Sequence, residues 1–204
     1  GSDDGLIHLS KDGGHSFSRI SDALPKDLWV SRVAASSHKK ERVYATLNAY
    51  RNDDFTPYVF VSEDYGASWK NISTDLPQSS VNVIVEDPVN ENLLFAGLDN
   101  GLYVSLDRGA SWSLLDQGLV PVAVHDLKIQ KEAKHLVVGT HGRSIYTASI
   151  EALQQASKSL LSQSVHLFAP EKVRYSSRWG SSRALFELAY TPKTSLSYYS
   201  ATDQ

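Results

Sequence analysis

The sequence predicts an all-β fold of repeated four-stranded antiparallel sheets, followed by a short helix and a β-rich C-terminal extension. Three observations predict it. An octet on the pattern S-x-D-x-G-x-x-[W/F] occurs at Ser10–Phe17, Ser62–Trp69 and Ser105–Trp112. Its copies begin 52 and then 43 residues apart, the length of one propeller blade. Short strand-like runs flank each copy at matching distances. Average composition gives one such match a chance of roughly one in 10⁵ per position, so three in register mark a repeat.

The strands come in a regular order. Gly5–Leu9, Tyr58–Val61 and Gly101–Val104 precede the three octets. After the first two copies, Ile20-Ser21-Asp22-Ala23-Leu24-Pro25 is echoed by Ile72-Ser73-Thr74-Asp75-Leu76-Pro77. Upstream, Arg42–Thr46 aligns with Asn92–Gly97, and His135–Thr140 continues that series into a unit without an octet. Each unit reads as four short strands, A to D, separated by turn residues. The expected register is strands C and D of a first blade, two whole blades, and A to C of a last one, with Arg143–Thr147 as its strand C. This is a partial β-propeller of three to four blades.

The octet has a structural task. Ser10, Ser62 and Ser105, with Asp12, Asp64 and Asp107, are placed to accept hydrogen bonds from amides in the tight C–D turn. Gly14, Gly66 and Gly109 supply a positive φ. Phe17, Trp69 and Trp112 fold back as apolar plugs.

The chain divides into three expected segments: blades over residues 3–149, a helical connector over 150–164, and a closing strand with the start of a further β module over 165–204. Ile150, Leu153, Leu160 and Leu161 give an apolar face to a helix over 150–161, with Ser149 as its N-cap. Val165–Phe168 is a candidate for the missing D strand of the last blade. Residues 184–190 and 195–199 read as further strands.

Composition narrows the chemistry. The 204 residues contain no cysteine and carry a formal net charge of −3. Disulfides, thiolate catalysis and Cys-ligated zinc are excluded. No basic stripe offers nucleic acid a footprint. No apolar run approaches the ~20 residues of a membrane-spanning helix. No cofactor is expected, and His125-Asp126 lacks a third partner for a metal or a triad.

At the octets the sequence resembles the Asp-box, or BNR-repeat, β-propellers, which include sialidases, xyloglucan-cleaving hydrolases, sortilin/VPS10 receptors and a photosystem II assembly factor. Gly139-Thr140-His141-Gly142-Arg143-Ser144-Ile145-Tyr146 resembles the propeller end of secreted bacterial proteins with sortilin-like repeats, often labelled glycosyl hydrolases. The resemblance implies a secreted or periplasmic protein. It also implies ligand sites on the face bearing the B–C and D–A loops, opposite the octets.

That face holds Tyr50–Phe55, Asp99-Asn100 and His141–Arg143, with D–A loops around Asp22, Asp75 and Asp116. The candidate ligand residues are His141, Arg143, Asp53, Asp54 and Arg51; no catalytic residue is assigned. Two functions stay open. One is a binding scaffold for peptide or glycan. The other is the C-terminal half of a sialidase- or xyloglucanase-like glycoside hydrolase, whose paired carboxylates lie partly on other blades. Open blade faces also predict self-association.

Overall fold

The computed structural model describes residues 1–116, 118–170 and 196–201. The strand expected over 184–190 lies outside the described residues, as does Ser195. The chain divides into two compact units, residues 1–155 and 156–204.

The first unit is a series of antiparallel sheets. Blade I is the hairpin β1 (His8–Leu9) and β2 (Ser18–Arg19). Blade II is a four-stranded meander of β3 (Trp29–Ala35), β4 (Val43–Asn48), β5 (Tyr58–Ser62) and β6 (Lys70–Asn71). Blade III repeats it with β7 (Val81–Glu86), β8 (Leu94–Leu98), β9 (Gly101–Ser105) and β10 (Ser113–Leu114). Blade IV has three strands, β11 (Val124–Gln130), β12 (His135–Thr140) and β13 (Ile145–Ser149). The A strands β3, β7 and β11 lie side by side, so the sheets stand radially with their first strands innermost. This is the arrangement that the octet spacing predicts.

Sequence explains the stacking. β8 reads Leu-Phe-Ala-Gly-Leu and is buried along its whole length, because a middle strand of a middle blade has neighbours on both faces. Three apolar layers result. Ile7, Leu24, Leu47 and Phe60 fill the layer between blades I and II. Tyr44, Val59, Ile72, Leu76, Leu94 and Trp112 fill the next. Leu93, Phe95, Leu102, Val104, Leu136 and Val138 fill the third. Each fully buried side chain of this size stabilises the stack by about 1.5–3 kcal/mol.

The octets build identical turns. Ser62 Oγ donates to Asp64 Oδ1 at 2.7 Å and accepts the Gly66 amide at 2.7 Å. Asp64 also accepts the Ser68 amide at 2.9 Å and the Ser68 hydroxyl at 2.6 Å. The Ser105–Asp107–Ser111 and Ser10–Asp12–Ser16 sets repeat those bonds. Gly66 and Gly109 have φ of +85° and +82°. A Cβ on Gly66 would stand 2.5 Å from Ile20 Cδ1, and one on Gly109 2.8 Å from Ile72 Cδ1. Glycine is therefore required twice, by its conformation and by the close approach of the preceding blade.

The tryptophans do more than plug their own hairpins. Trp69 donates its indole N–H to Ile20 O at 2.8 Å, and Trp112 donates to Ile72 O at 2.6 Å. Each indole thereby docks on the blade before its own. Phe17 is 66% exposed.

Three local expectations are corrected. The helix over 150–161 is instead two short ones, α1 (Glu151–Gln154) and α2 (Lys158–Leu161). The Gln155 amide bonds three residues back to Ala152 O, and Ser157 Oγ accepts the Leu160 amide at 3.2 Å, starting a new helix. Ser149 ends β13, and Ile150 holds the N-cap position. Strand C of blade IV runs two residues later than expected, since Gly142 (φ 74°) and Ser144 (φ 85°) make a turn that holds Arg143 out of the ladder. Thr140 closes that turn by donating its hydroxyl to Ser144 O at 2.6 Å.

In the second unit, β14 (Val165–Leu167) pairs antiparallel with β15 (Tyr198–Ser200). The Phe168 amide extends that ladder to Ser197 O at 3.0 Å. Val165–Leu167, expected as the D strand of blade IV, instead belongs to this two-stranded sheet.

Candidate functional site

Backbone bonds between loops fix two faces. On one, the C–D turns are tied to the A–B turns: the Tyr65 amide to Glu41 O at 2.9 Å and the Arg108 amide to Asn92 O at 2.8 Å. On the other, the B–C loops are tied to the D–A loops: the Asp99 amide to Ser80 O at 3.1 Å and the His141 amide to Ala123 O at 2.9 Å. The octets occupy the first face, and His141, Arg143, Arg51, Asp53 and Asp54 the second.

At the inner edge of the second face, each A strand carries a bulge. The register slips between Val30 and Arg32, between Val81 and Val83, and between Val124 and Asp126. Ser31, Asn82 and His125 are therefore equivalent residues turned out of the ladder. Ser31 Oγ donates to Val81 O of the next blade at 2.8 Å, and Asn82 Nδ2 donates to Val124 O at 3.2 Å. Asn48 Nδ2 donates to Asn82 Oδ1 at 3.0 Å, and Asn82 Nδ2 donates to Asp99 Oδ1 at 2.8 Å. In blade IV the corresponding pair is His125 and His141, with ring centroids 5.0 Å apart and both residues exposed. A polar arc thus runs across three blades and ends in two solvent-facing imidazoles. Arg32 Nη2 reaches Asp126 Oδ1 at 2.6 Å, joining blades II and IV past the first strand of blade III.

The long B–C loop of blade II forms the outer part of this face. Tyr50–Asn52 make a 3-10 turn, and the Arg51 guanidinium carbon lies 5.4 Å from the Trp29 ring centroid and 5.6 Å from that of Tyr50. Asp53 ends the turn in the left-handed region at φ 58°. Asp54 is committed to its own loop: it accepts the Thr56 amide at 2.8 Å and the Tyr58 hydroxyl at 2.8 Å. Those donors, the Thr56 amide first, hold its carboxyl below the ordinary carboxylate range. Arg143 is exposed and makes no ion pair among the described residues. The structure brings His141 beside His125, but it does not bring the five predicted residues into one cluster.

The octet carboxylates are also held ionised. The Ser16 and Ser68 hydroxyls, followed by the same residues' amides, lower Asp12 and Asp64 from 3.8 to about 2. Asp107 is lowered too, although its burial pulls the other way.

Two features were missed by sequence reasoning. Ser31, Asn82 and His125 each directly follow a valine at the start of an aligned A strand, a signal present in the sequence. Arg42, by contrast, had no signal. Its side chain is fully buried on the octet face, with Nε 2.8 Å from Glu63, Nη1 3.0 Å from Glu86 and Nη2 3.0 Å from Glu91.

Radial four-stranded sheets, octet hairpins on one face and a polar mouth on the other define a β-propeller. The sequence profile described as "Sortilin, neurotensin receptor 3" matches residues 5–120, and the chain belongs to this Sortilin-Vps10 family. No curated protein matches the chain. Among solved structures, the GH74 xyloglucanase from Xanthomonas campestris is similar with a TM-score of 0.58 at 16% identity, over 72% of this chain and 26% of that one. YCF48 from Cyanidioschyzon merolae gives 0.57 at 9% identity, over 74% and 46%. YCF48 bound to D1 peptide gives 0.52 at 15% identity, also over 74% and 46%. At these identities the likeness is one of fold. The chain spans about a quarter of the xyloglucanase and under half of YCF48. No helix among the described residues is long and apolar enough to cross a membrane.

Proposed function

We infer that this chain is a binding scaffold, part of an exported propeller that takes a peptide on the face opposite its octets. The octets are Asp boxes with a structural role. The observation that carries this reading is the arc of Asn48, Asn82 and Asp99 leading to the exposed His125–His141 pair. Its buried members are held by bonds across blades, while its end presents imidazoles to solvent, as a preorganised recognition surface requires. Arg51 over Trp29 adds a cationic, aromatic-backed contact nearby. The peptide bound by YCF48 supports this class of ligand on a related fold. Export rests on the resemblance of residues 139–146 to secreted repeat proteins.

A hydrolytic centre has less support. Of the adjacent acids in the candidate loop, Asp54 is engaged by the Thr56 amide and the Tyr58 hydroxyl, and the octet carboxylates lie on the opposite face. The test has two arms. Selection from a displayed random-peptide pool should yield binders whose affinity falls at least tenfold in His141→Ala or Arg51→Ala and is unchanged in Asp107→Asn. Incubation with xyloglucan oligosaccharides and sialyllactose should give no turnover. Hydrolysis abolished by Asp53→Asn or Asp54→Asn, but not by Asp107→Asn, would replace the scaffold reading with the enzymatic one.

A further inference from the structure

Between the outer strands of blades III and IV lies a cavity of about 550 Å³. That volume is within the ~300–1,000 Å³ of ligand pockets. The corresponding places at the two preceding interfaces are filled, by the indoles of Trp69 and Trp112. The equivalence is set by the backbone. The Ile20, Ile72 and Leu115 amides bond to Ile7 O at 2.9 Å, Val59 O at 2.9 Å and Leu102 O at 2.8 Å, one in each blade. The first two of these residues accept an indole N–H on their carbonyls.

Among the described residues, blade IV sends no indole back to Leu115. The A-strand bulges fix the register: Val43, Leu94 and Leu136 are equivalent, and Ser62, Ser105 and Ala148 stand opposite them. Seven residues beyond the first two stands a tryptophan; seven beyond Ala148 stands Gln155. Two residues before them stand Phe60, Tyr103 and Tyr146, so blade IV keeps the ring of strand C and lacks the indole. The surroundings show the consequence: Leu24 and Leu76 are buried, but their counterpart Leu119 is only half-buried. Ile150 and Leu153 close the inner side of the space, and Leu114 and Asp116 stand at its outer edge.

We propose that this slot binds the side chain of a tryptophan presented by a peptide partner, the indole N–H donating to the Leu115 carbonyl. The fold itself shows the chemistry twice, with the same carbonyl position and the same apolar walls. Asp116 at the edge favours a lysine or arginine beside the tryptophan and disfavours an acidic neighbour. The site lies between blades and is separate from the mouth described above.

The test is a titration of the isotope-labelled chain with N-acetyl-tryptophanamide, followed by its indole-N-methyl analogue. The first probe should shift the amides of Leu115, Leu119 and Tyr146 and saturate. The methylated probe should bind about tenfold more weakly, as expected for one lost hydrogen bond in an apolar site. Ala148→Phe, which adds a ring opposite Leu136 in the lining, should abolish the shifts while leaving the Asn82 and His141 amides in place. Leu153→Phe serves the same purpose where Ala148→Phe does not fold. His141→Ala should leave the titration unchanged, so failure of the mouth reading and failure of this one are distinct. Absence of shifts at Leu115 and Leu119, equal affinity for the methylated probe, or unaltered binding in both filled variants would overturn the proposal.

Discussion

Replacing Arg42 with methionine tests how the blades are joined. The guanidinium is fully buried and bonds three carboxylates, of which Glu63 and Glu91 are 45% and 40% exposed and Glu86 only 3%. The two exposed partners contribute about 0.2–1 kcal/mol each after solvent screening. Glu86 decides the magnitude. Without Arg42 its charge stays buried, and an uncompensated buried charge costs about 3–5 kcal/mol. Three other donors soften the loss: Tyr44 Oη at 2.8 Å, Ser36 Oγ at 2.6 Å and the Ser37 amide at 3.0 Å. The expected destabilisation is therefore at the lower end, about 3 kcal/mol. Urea unfolding followed by tryptophan fluorescence should show the midpoint falling by about 1–3 M for a slope of about 1–3 kcal/mol/M. Adding Glu86→Gln to Arg42→Met should recover much of the loss, because the stranded charge is then gone. A loss below about 1 kcal/mol, or a double variant no better than the sum of the singles, would refute the view that this ion pair carries the interface.

Other outcomes stem from the hairpins and the edges. Gly109→Ala should cost about 2–4 kcal/mol, since it combines a strained φ with a clash against Ile72, while Gly14→Ala, with open space around it, should cost only about 1 kcal/mol; equal losses in denaturant melts would contradict the close-approach argument. Trp112→Phe should lose about 1–3 kcal/mol by leaving the Ile72 carbonyl without its indole donor, measurable as a drop in thermal midpoint; no change would dismiss that bond. Asp64 should titrate near 2 rather than 3.8 by carboxyl carbon shifts. Because its folded pKa is depressed, its contribution is fully present above about pH 4 and fades as pH falls toward 2; a midpoint near 4 would sink the claim. The edge strand β13, with Ile145 73% exposed, should drive concentration-dependent self-association in light scattering; a monomer at millimolar concentration would exclude it.

Much of the architecture was legible because the octet writes its geometry locally. Ser62, Asp64 and Gly66 act within one turn, so their spacing alone announces a hairpin, and the recurring distance between copies announces the blade. His135–Thr140 was readable as a strand because it continues the series of Arg42–Thr46 and Asn92–Gly97. What escaped was anything set by a partner in another blade. Arg42 has no local pattern, since its three carboxylates are 21, 44 and 49 residues away. The division of residues 150–161 into two helices depended on Ser157 acting as a cap, which a count of apolar positions ignores. The mouth was half legible. The B–C and D–A loops were placed together on one face, yet His125-Asp126 was set aside for want of a third partner, and nothing local announced the bulges that turn Ser31, Asn82 and His125 outward. Asp53 and Asp54 drew notice as adjacent acids, but Asp54 serves its loop through Thr56 and Tyr58.

The docking of each indole on the blade before it gives the array a polarity. Blades II and III each carry a peg aimed toward the N-terminus, seated in a socket that the preceding blade opens toward the C-terminus. During synthesis the socket emerges first, so each new hairpin finds its seat already built and can lock without waiting for later blades. Such a chain can be lengthened or shortened by whole units from its C-terminal side without redesigning the joints already made.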